Sequence, residues 1–335
     1  MKIMRVGIIG CGRISVRHLS GVIMTEGLEL AAVCDNKFDR AKKAAETYGG
    51  TPYSSYEEMI AKEKLDAVHL CLPHYLHSSV ATYALERGLH VMTEKPMDID
   101  LESAEAVTAL SNRLGLYYGV ISQCRYSPSA ELVRNRVADG SLGKIISVRS
   151  TLTWSRSDAY YSESDWKGTW DKEGGGVVID QAIHSMDLVR WIVDSPIKDV
   201  SCSMANRGHK TVSVEDSAEG FITFENGAVY GFWCMNNYGC DEPIEIKFLC
   251  ERGKATLGYN DAYITYNDGR TEEAHLVEKK AADGMDYWGN NHYKEIRSFY
   301  NAIREKKPFE LSGDEALKTH RMIMKLYKIG KETMK

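Results

Sequence analysis

The chain has 335 residues, of which 43% are hydrophobic and 27% are charged, and its formal net charge at pH 7 is -5. This length exceeds what one hydrophobic core usually supports, so we expect two domains, and the composition excludes an intrinsically disordered protein. The slightly acidic charge and the lack of a long basic run exclude nucleic acid and membrane surfaces as general partners.

The N-terminal residues and the cysteines predict a protein that stays in the cytoplasm. Met1 leads directly into the apolar run at residues 6–9, without a cleavable signal segment. No apolar run reaches the roughly 20 residues that a membrane-spanning helix needs. The eight cysteines are scattered singly, with no spacing typical of metal ligands. We therefore expect core thiols in a reducing compartment, and no metal site.

The first 120 or so residues alternate short apolar runs with amphipathic segments. In these segments apolar residues recur at three- and four-residue spacing, as in helices. Such alternation predicts a doubly wound sheet of parallel strands, which binds ligands at the carboxyl ends of its strands. The predicted strands are residues 2–9, 28–34, 67–72, 90–92 and 116–120, and the predicted helices are residues 41–48, 78–87 and 101–114.

The first predicted strand ends in a glycine-rich turn typical of dinucleotide binding. Gly10 permits a tight turn, and Gly12 lets the backbone approach a pyrophosphate. The helix that follows, reached through Arg13 and Ile14, would direct its first N–H groups at the phosphates. Ser15 replaces the usual third glycine. A tight turn without a ligand is the alternative interpretation.

The second predicted strand ends at Asp35, 23 residues after Gly12. A carboxylate at about this spacing accepts hydrogen bonds from the adenosine ribose diol. It would repel a ribose 2′-phosphate, and Asn36 stands where an arginine would favour NADP. We therefore expect NAD rather than NADP, although Lys37 leaves NADP open. A helix-capping aspartate is the alternative.

From residue 123 onward the pattern changes to strands of period two, which predicts a mostly antiparallel sheet with helices. The predicted organisation is thus a doubly wound α/β domain at residues 1–122 and an α+β domain at residues 123–335. In the second domain the predicted helices are residues 127–138, 180–193, 292–306 and 313–331, and the predicted strands are residues 145–152, 200–205, 217–224, 228–235, 245–250, 254–258 and 262–267.

Two further segments contain more distinctive motifs. Residues 88–96 read GLHVMTEKP after a predicted strand, and residues 174–187 read GGGVVIDQAIHSMD before a predicted helix. With the glycine turn, Asp35 and the PHYLH segment at residues 73–77, they resemble the glucose–fructose oxidoreductase, inositol dehydrogenase and MocA (Gfo/Idh/MocA) family over almost the whole chain. The resemblance implies an NAD-dependent oxidoreductase with a Rossmann domain, followed by a domain for substrate binding and oligomerisation.

The resemblance also implies the site residues. Lys95 would touch the cofactor ribose and the substrate hydroxyl, and its neighbour Glu94 would touch the cofactor. Asp180 and His184 would be the acid/base pair and would also contact the substrate. Ala182 and His74 depart from the residues common in the family. Further implied cofactor contacts are Pro73, His74, His77 and Arg125.

Elementary chemistry agrees with these roles. Oxidising a secondary alcohol requires a base of near-neutral pKa within about 3 Å of the hydroxyl. Asp180 and His184 are four residues apart, so on a helix they share a face, and the carboxylate can orient the ring. Lys95 can stabilise the developing alkoxide. A solvated surface lysine and a core histidine are the plainer alternatives.

Residues 154–170 are rich in aromatic side chains, including Tyr160, Trp166 and Trp170. Aromatic faces stack on the C–H face of a sugar ring, so these three are substrate-binding candidates. A packed loop at an interdomain or subunit contact is the alternative. Arg125, Tyr126, Trp288 and His292 are weaker candidates.

We therefore expect an enzyme that transfers a hydride between NAD and a secondary hydroxyl or ketone of a sugar, glycoside or inositol-like polyol. Two alternatives stay open: a redox-neutral enzyme that uses NAD transiently for glycoside cleavage or elimination, and a non-catalytic sensor of the NAD redox state. The second domain covers one face of its sheet with helices, so the other face predicts a homodimer or homotetramer.

Overall fold

The computed structural model describes residues 3–275 and 291–334, which form two compact units. Among the described residues, the first unit holds 3–122 and 291–318, and the second holds 123–275 and 319–334. The first segment of the first unit ends at residue 122, and the first segment of the second unit begins at residue 123. This is the position of the predicted domain boundary. The predicted division differs from these units in assigning residues 291–318 to the second domain.

A six-stranded, entirely parallel sheet forms the centre of the first unit, as predicted. Its strand order, β3-β2-β1-β4-β5-β6, is that of the dinucleotide-binding fold, whose ligand crevice lies where the order reverses, between β1 and β4. The strands are β1 (Met4–Ile9), β2 (Leu28–Cys34), β3 (Thr51–Tyr53), β4 (Ala67–Leu70), β5 (His90–Thr93) and β6 (Tyr118–Val120).

The helices of the first unit connect these strands, and a late helix packs against the earliest one. This late helix explains why residues 291–318 belong to the first unit: the side chain of Ile296 is fully buried against Gly21, where a Cβ atom would lie 2.4 Å from it. The helices are α1 (Ser15–Met24), α2 (Phe38–Tyr48), α3 (Tyr56–Lys62), α4 (His77–Leu85), α5 (Leu101–Leu114) and, far along the chain, α9 (Asn291–Glu305).

An eight-stranded sheet forms the second unit, in the order β14-β13-β12-β11-β7-β10-β9-β8. Neighbouring strands are antiparallel except β7 and β10, which are parallel, so the predicted mostly antiparallel sheet is confirmed. The strands are β7 (Ile145–Thr153), β8 (Ile197–Ala205), β9 (Ser217–Phe224), β10 (Val229–Met235), β11 (Glu245–Cys250), β12 (Gly253–Leu257), β13 (Asp261–Tyr266) and β14 (Thr271–His275).

One face of this sheet is covered and the other is open. Along β10, Tyr230, Phe232 and Cys234 are buried, whereas Val229 and Trp233 on the opposite face are exposed. The predicted helix at residues 180–193 begins later than expected, because residues 178–182 form a π-helical turn. The helices of this unit are α6 (Pro128–Ala138), α7 (Asp158–Ser162), α8 (Ile183–Val193) and the greater part of α10 (Gly313–Gly330).

Within the described ranges, none of the helices combines the length and the apolar character required to span a bilayer.

Candidate functional site

The glycine turn after β1 has the shape that a pyrophosphate requires. Gly10 has a φ of +94°, and a Cβ atom there would lie 2.2 Å from the carbonyl oxygen of Cys71, so only glycine fits. A Cβ atom at Gly12 would meet nothing within 4 Å, so the backbone borders open space there. The hydroxyl of Ser15 donates to the carbonyl of Gly12 at 2.6 Å, and thus fixes the turn in place of a third glycine.

Asp35 lies at the carboxyl end of β2 and is joined to this turn. Its carboxylate accepts hydrogen bonds from the backbone N–H of Cys11 at 2.9 Å and of Lys37 at 2.8 Å. The N-cap residue of α2 is Lys37, so Asp35 is not the helix cap that was its alternative interpretation. Each carboxylate oxygen can accept a further hydrogen bond. The turn and Asp35 therefore fit a nicotinamide adenine dinucleotide.

The segment at residues 73–77 follows β4, beside the crevice. Pro73 precedes a short 3₁₀ turn, His74–Leu76, and His74 is buried. The ring of His77 is fully buried, and its two nitrogens lie 2.9 Å from the carbonyl oxygen of Leu72 and 2.7 Å from that of Pro96. His77 thus ties the segment after β4 to the one after β5, and its contact with the cofactor stays a prediction.

Glu94 and Lys95 follow β5 directly, at the same edge of the sheet. Glu94 Oε1 is 3.0 Å from His18 Nε2 and 3.3 Å from His292 Nε2, and the Lys95 backbone N–H lies 3.3 Å from Glu94 Oε2. Burial alone would raise the pKa of Glu94, but the hydrogen bonds from the two histidines hold that pKa well below its usual range. The carboxylate of Glu94 thus points into a buried cluster. His292, one of the weaker substrate candidates, belongs to the same cluster.

In the second unit, the glycine run at residues 174–176 is shaped by Glu215 and Tyr327. A Cβ atom would lie 1.9 Å from the Glu215 carbonyl oxygen if placed on Gly176, and 2.0 Å from the Tyr327 hydroxyl if placed on Gly175. The Glu215 carboxylate accepts the N–H of Gly176 at 2.9 Å, the N–H of Val178 at 3.1 Å and the Tyr327 hydroxyl at 2.6 Å. Glu215 therefore holds the start of the π-helical turn.

Asp180 lies in this π-helical turn, at the centre of a polar cluster. Its Oδ2 accepts from Gln181 Nε2 at 2.6 Å, Lys167 Nζ at 3.2 Å and the Tyr160 hydroxyl at 3.4 Å, and Lys167 also donates to Tyr160. Burial would lower the pKa of Lys167, but Asp180 and Tyr160 outweigh it and raise that pKa, so Lys167 stays charged. His184 follows in the first turn of α8, four residues after Asp180 and almost fully buried.

Burial and the charge of Asp180 raise the pKa of Tyr160, so its hydroxyl keeps its proton. Lys167 and Tyr160 are therefore both hydrogen-bond donors at neutral pH. Their side chains and that of Asp180 remain partly exposed, although Tyr161 and Gln181 beside them are buried. This cluster can bind oxygen atoms of a polar ligand.

Comparison with known families decides which protein class this geometry belongs to. A model described as "Oxidoreductase family, NAD-binding Rossmann fold" matches residues 4–122, and one described as "GFO/IDH/MocA C-terminal domain" matches residues 131–256. The chain belongs to the Gfo/Idh/MocA family. Its first unit is thus an NAD-binding Rossmann domain, and the predicted family and cofactor are confirmed.

Relatives from this family extend over nearly the whole chain. D-glucoside 3-dehydrogenase of Escherichia coli is 28% identical, covering 97% of this chain and 94% of its own length. Inositol 2-dehydrogenase of Corynebacterium glutamicum is 23% identical, covering 91% and 87%. Among solved structures, the WlbA dehydrogenase of Bordetella pertussis, in complex with NADH and UDP-GlcNAcA, superposes with a TM-score of 0.86 at 27% identity, covering 99% and 97%.

Not every residue expected to act in a Gfo/Idh/MocA oxidoreductase is available to a ligand. The guanidinium of Arg125 forms a buried, two-point ion pair with Asp187, at 2.7 and 2.6 Å, and its contact with the cofactor stays a prediction. Trp170 donates to the Ser213 carbonyl at 2.9 Å and packs edge-on against Tyr327. For Trp170 the structure therefore favours the packed-loop alternative.

The other aromatic candidates have different positions. Tyr160 belongs to the Asp180 cluster through its hydroxyl, and Trp166 lies with its ring 5.3 Å from Lys167 Nζ. Trp288 is outside the described residues.

Sequence analysis missed Lys167, Glu215 and His18 as site residues in this Gfo/Idh/MocA chain. Each of them forms a hydrogen bond with a residue of a predicted motif in another segment, 13 to 76 positions away. Only Lys167 had a local signal, because it lies in the aromatic stretch that was already suspected.

Proposed function

We propose that this oxidoreductase transfers a hydride between NAD and a secondary hydroxyl or ketone of a sugar, glycoside or inositol-like polyol. The observation that carries the proposal is the Asp180 cluster, in which a carboxylate is held by Lys167 and Tyr160 one helical turn before His184. The names of the relatives, a glucoside dehydrogenase and an inositol dehydrogenase, support this substrate class.

Bound NAD supplies the hydride acceptor, and the protein must manage the proton and the oxygen atoms. In our proposal His184 takes the hydroxyl proton, Asp180 orients the imidazole, and Lys95 stabilises negative charge that develops on oxygen. Lys167 donates a hydrogen bond to a neighbouring substrate oxygen. An ammonium has three N–H donors, and Asp180 and Tyr160 account for two of them.

Asp35 supports a preference for NAD over NADP. Its carboxylate accepts hydrogen bonds from two backbone N–H groups and can accept hydrogen bonds from the ribose hydroxyls as well. A 2′-phosphate at that position would place two negative groups side by side.

The test is a panel of inositols, glucosides and free sugars with NAD, followed by NADH absorbance. We expect turnover with at least one member, loss of at least about a hundredfold in kcat for His184→Ala, and partial retention in Lys167→Arg but not Lys167→Met. NAD affinity should be unchanged in the Lys167 and His184 variants, which is the control for folding.

The two alternatives give different results in the same assay. Release of an aglycone without accumulation of NADH would select the redox-neutral enzyme. A sensor would bind NAD, turn over none of the panel, and keep its function in Lys95→Ala and His184→Ala.

We also infer that the chain acts in the cytoplasm, without nucleic-acid or membrane partners, as a homodimer or homotetramer. The open face of the second unit's sheet supports self-association, because exposed Phe221, Trp233 and Leu249 lie on it.

A further inference from the structure

The buried cluster around Glu94 joins side chains from four separate segments of the first unit. His18 lies on α1, His69 on β4, Glu94 after β5, and His292 and Tyr300 on α9, and none of them is more than 6% exposed. Besides the two contacts of Glu94 with His18 and His292, His18 Nδ1 lies 2.9 Å from His69 Nδ1, and His69 Nε2 lies 2.8 Å from the Tyr300 hydroxyl.

The carboxylate fixes the direction of these hydrogen bonds. An ionised carboxylate only accepts, so Nε2 of His18 and of His292 must carry the proton. With Nε2 protonated, neutral His18 accepts at Nδ1, and His69 donates there. His69 then accepts at Nε2 from the Tyr300 hydroxyl. Every contact is satisfied with all three rings neutral.

The pKa directions agree with this assignment. Burial lowers the pKa of His69 and of His292, and at His292 it outweighs the hydrogen bond and charge of Glu94, which act in the opposite direction, so both rings stay neutral. Burial raises the pKa of Tyr300, which keeps its hydroxyl proton. In this hydrogen-bond arrangement the cluster carries one negative charge, on Glu94.

Burying the Glu94 carboxylate costs free energy, and its position in the sheet indicates which part of the cofactor it affects. Dinucleotides lie across the two halves of such a sheet. Asp35, at the end of β2, marks the adenosine half, so the nicotinamide half belongs to β4, β5 and β6, and Glu94 directly follows β5. The oxidised nicotinamide ring is positively charged and the reduced ring is neutral. Lys95, one residue later, brings a positive charge that would disfavour the oxidised ring.

We propose that Glu94 acts on the cofactor through its electric field and not by contact, and that its histidine-held carboxylate favours NAD⁺ over NADH. This inference requires only the NAD site. It does not depend on the sugar chemistry proposed above, so the two can fail separately.

The experiment measures the dissociation constants of NAD⁺ and NADH for the full-length protein without substrate, by calorimetry and NADH fluorescence. Glu94→Gln keeps the shape and removes the charge, and we expect it to shift the affinity ratio toward NADH by about tenfold. This is the order of effect that Coulomb's law gives for unit charges roughly 10 Å apart at an effective dielectric constant of about 20. Glu94→Asp keeps the charge and changes the shape, so the ratio should stay within about twofold of the original.

Two further variants complete the design. Asp66→Asn removes a carboxylate at the opposite edge of the sheet, just before β4, and should leave the ratio unchanged. Glu94→Met provides a second neutral side chain if Glu94→Gln does not fold, as judged by circular dichroism. A purely structural role would weaken both nucleotides equally in the Asp and the neutral variants, and an unchanged ratio in the neutral variants overturns the proposal.

Discussion

Gly10 and Gly12 belong to the same turn, but the structure needs glycine at each for a different reason. At Gly10 the backbone has a positive φ, and the Cys71 carbonyl occupies the place of a side chain. At Gly12 no protein atom within 4 Å would meet a Cβ, which leaves the space that a pyrophosphate would need. We therefore expect the first glycine to be required for folding and the second for binding.

We therefore predict that Gly10→Ala mainly lowers stability, whereas Gly12→Ala mainly weakens NAD binding. Gly10→Ala should lower the free energy of unfolding by about 2 kcal/mol or more, because of the strained φ and the clash. Gly12→Ala should change that free energy by less than about 0.5 kcal/mol, yet weaken NAD binding at least about tenfold, since the methyl group fills the space of the pyrophosphate. Urea unfolding and NAD titration measure the two quantities. Full NAD affinity in Gly12→Ala would contradict this assignment.

Residues that belong to a local motif could be predicted from the sequence, and their partners could not. Asp35 is predicted from its distance to the glycine turn, and Asp180 from the resemblance of residues 174–187 to the family. The partner of Asp180 is Lys167, on a loop, and that of Glu94 is His18, on another helix. These pairings depend on how elements pack, which no spacing rule encodes.

At the scale of elements, the π-helical turn at residues 178–182 is the clearest departure from the sequence pattern. The pattern there is that of a helix, and its continuation as α8 was predicted. The widened turn comes from contacts outside the segment, because Glu215 binds the N–H groups at its start. π-Helical turns occur frequently at functional sites, and this one contains Asp180.

The charge state of Glu215 predicts a pH dependence of stability. Burial raises its pKa in the folded protein from 4.5 to about 7, despite the hydrogen bonds that it accepts. The folded state therefore binds this proton more tightly than the unfolded state. The contribution to stability is complete below pH 4.5 and is lost as the pH rises through about 7, a change of about 3 kcal/mol.

Glu215→Gln cannot titrate, so we expect its free energy of unfolding to fall less than that of the parent protein between pH 5 and pH 8. Urea unfolding at several pH values gives both profiles. Glu173 has a raised pKa as well, and the charge of Glu215 contributes to it, so the difference between the profiles reports on Glu215 together with its effect on Glu173. Parallel profiles would show that Glu215 is ionised equally easily in both states.

The two strands that sequence analysis missed share a physical cause. β3 has three residues and includes Pro52, and β14 is rich in charged residues, so neither has a hydrophobic period. Both are edge strands, which need less apolar surface than central ones. The long central elements were predicted to within a few residues, because burial on one or both faces determines their pattern.

At the scale of the whole molecule, the order of elements along the chain does not match their grouping in space. α9 follows the last strand of the second sheet, yet it packs on α1 of the first unit. The sequence predicted the helix but not its location, because an amphipathic face specifies that a helix is buried and not against which partner.

The open face of the eight-stranded sheet leads to a prediction about assembly. Phe221, on β9, is 61% exposed and lies opposite Gly231 of β10, between the exposed side chains of Val229 and Trp233. An exposed apolar patch of this kind is characteristic of a subunit interface, and a stable interface buries about 800 Å² per partner. Burying a charged carboxylate in such an interface is costly, so Phe221→Glu should shift the protein toward monomer in light scattering at micromolar concentration. Ile23→Glu, an equally charged change at a half-exposed position of α1 in the first unit, is the matched control and should leave the mass unchanged. If the parent protein is a monomer, or if both variants keep its oligomeric mass, this face is not the interface.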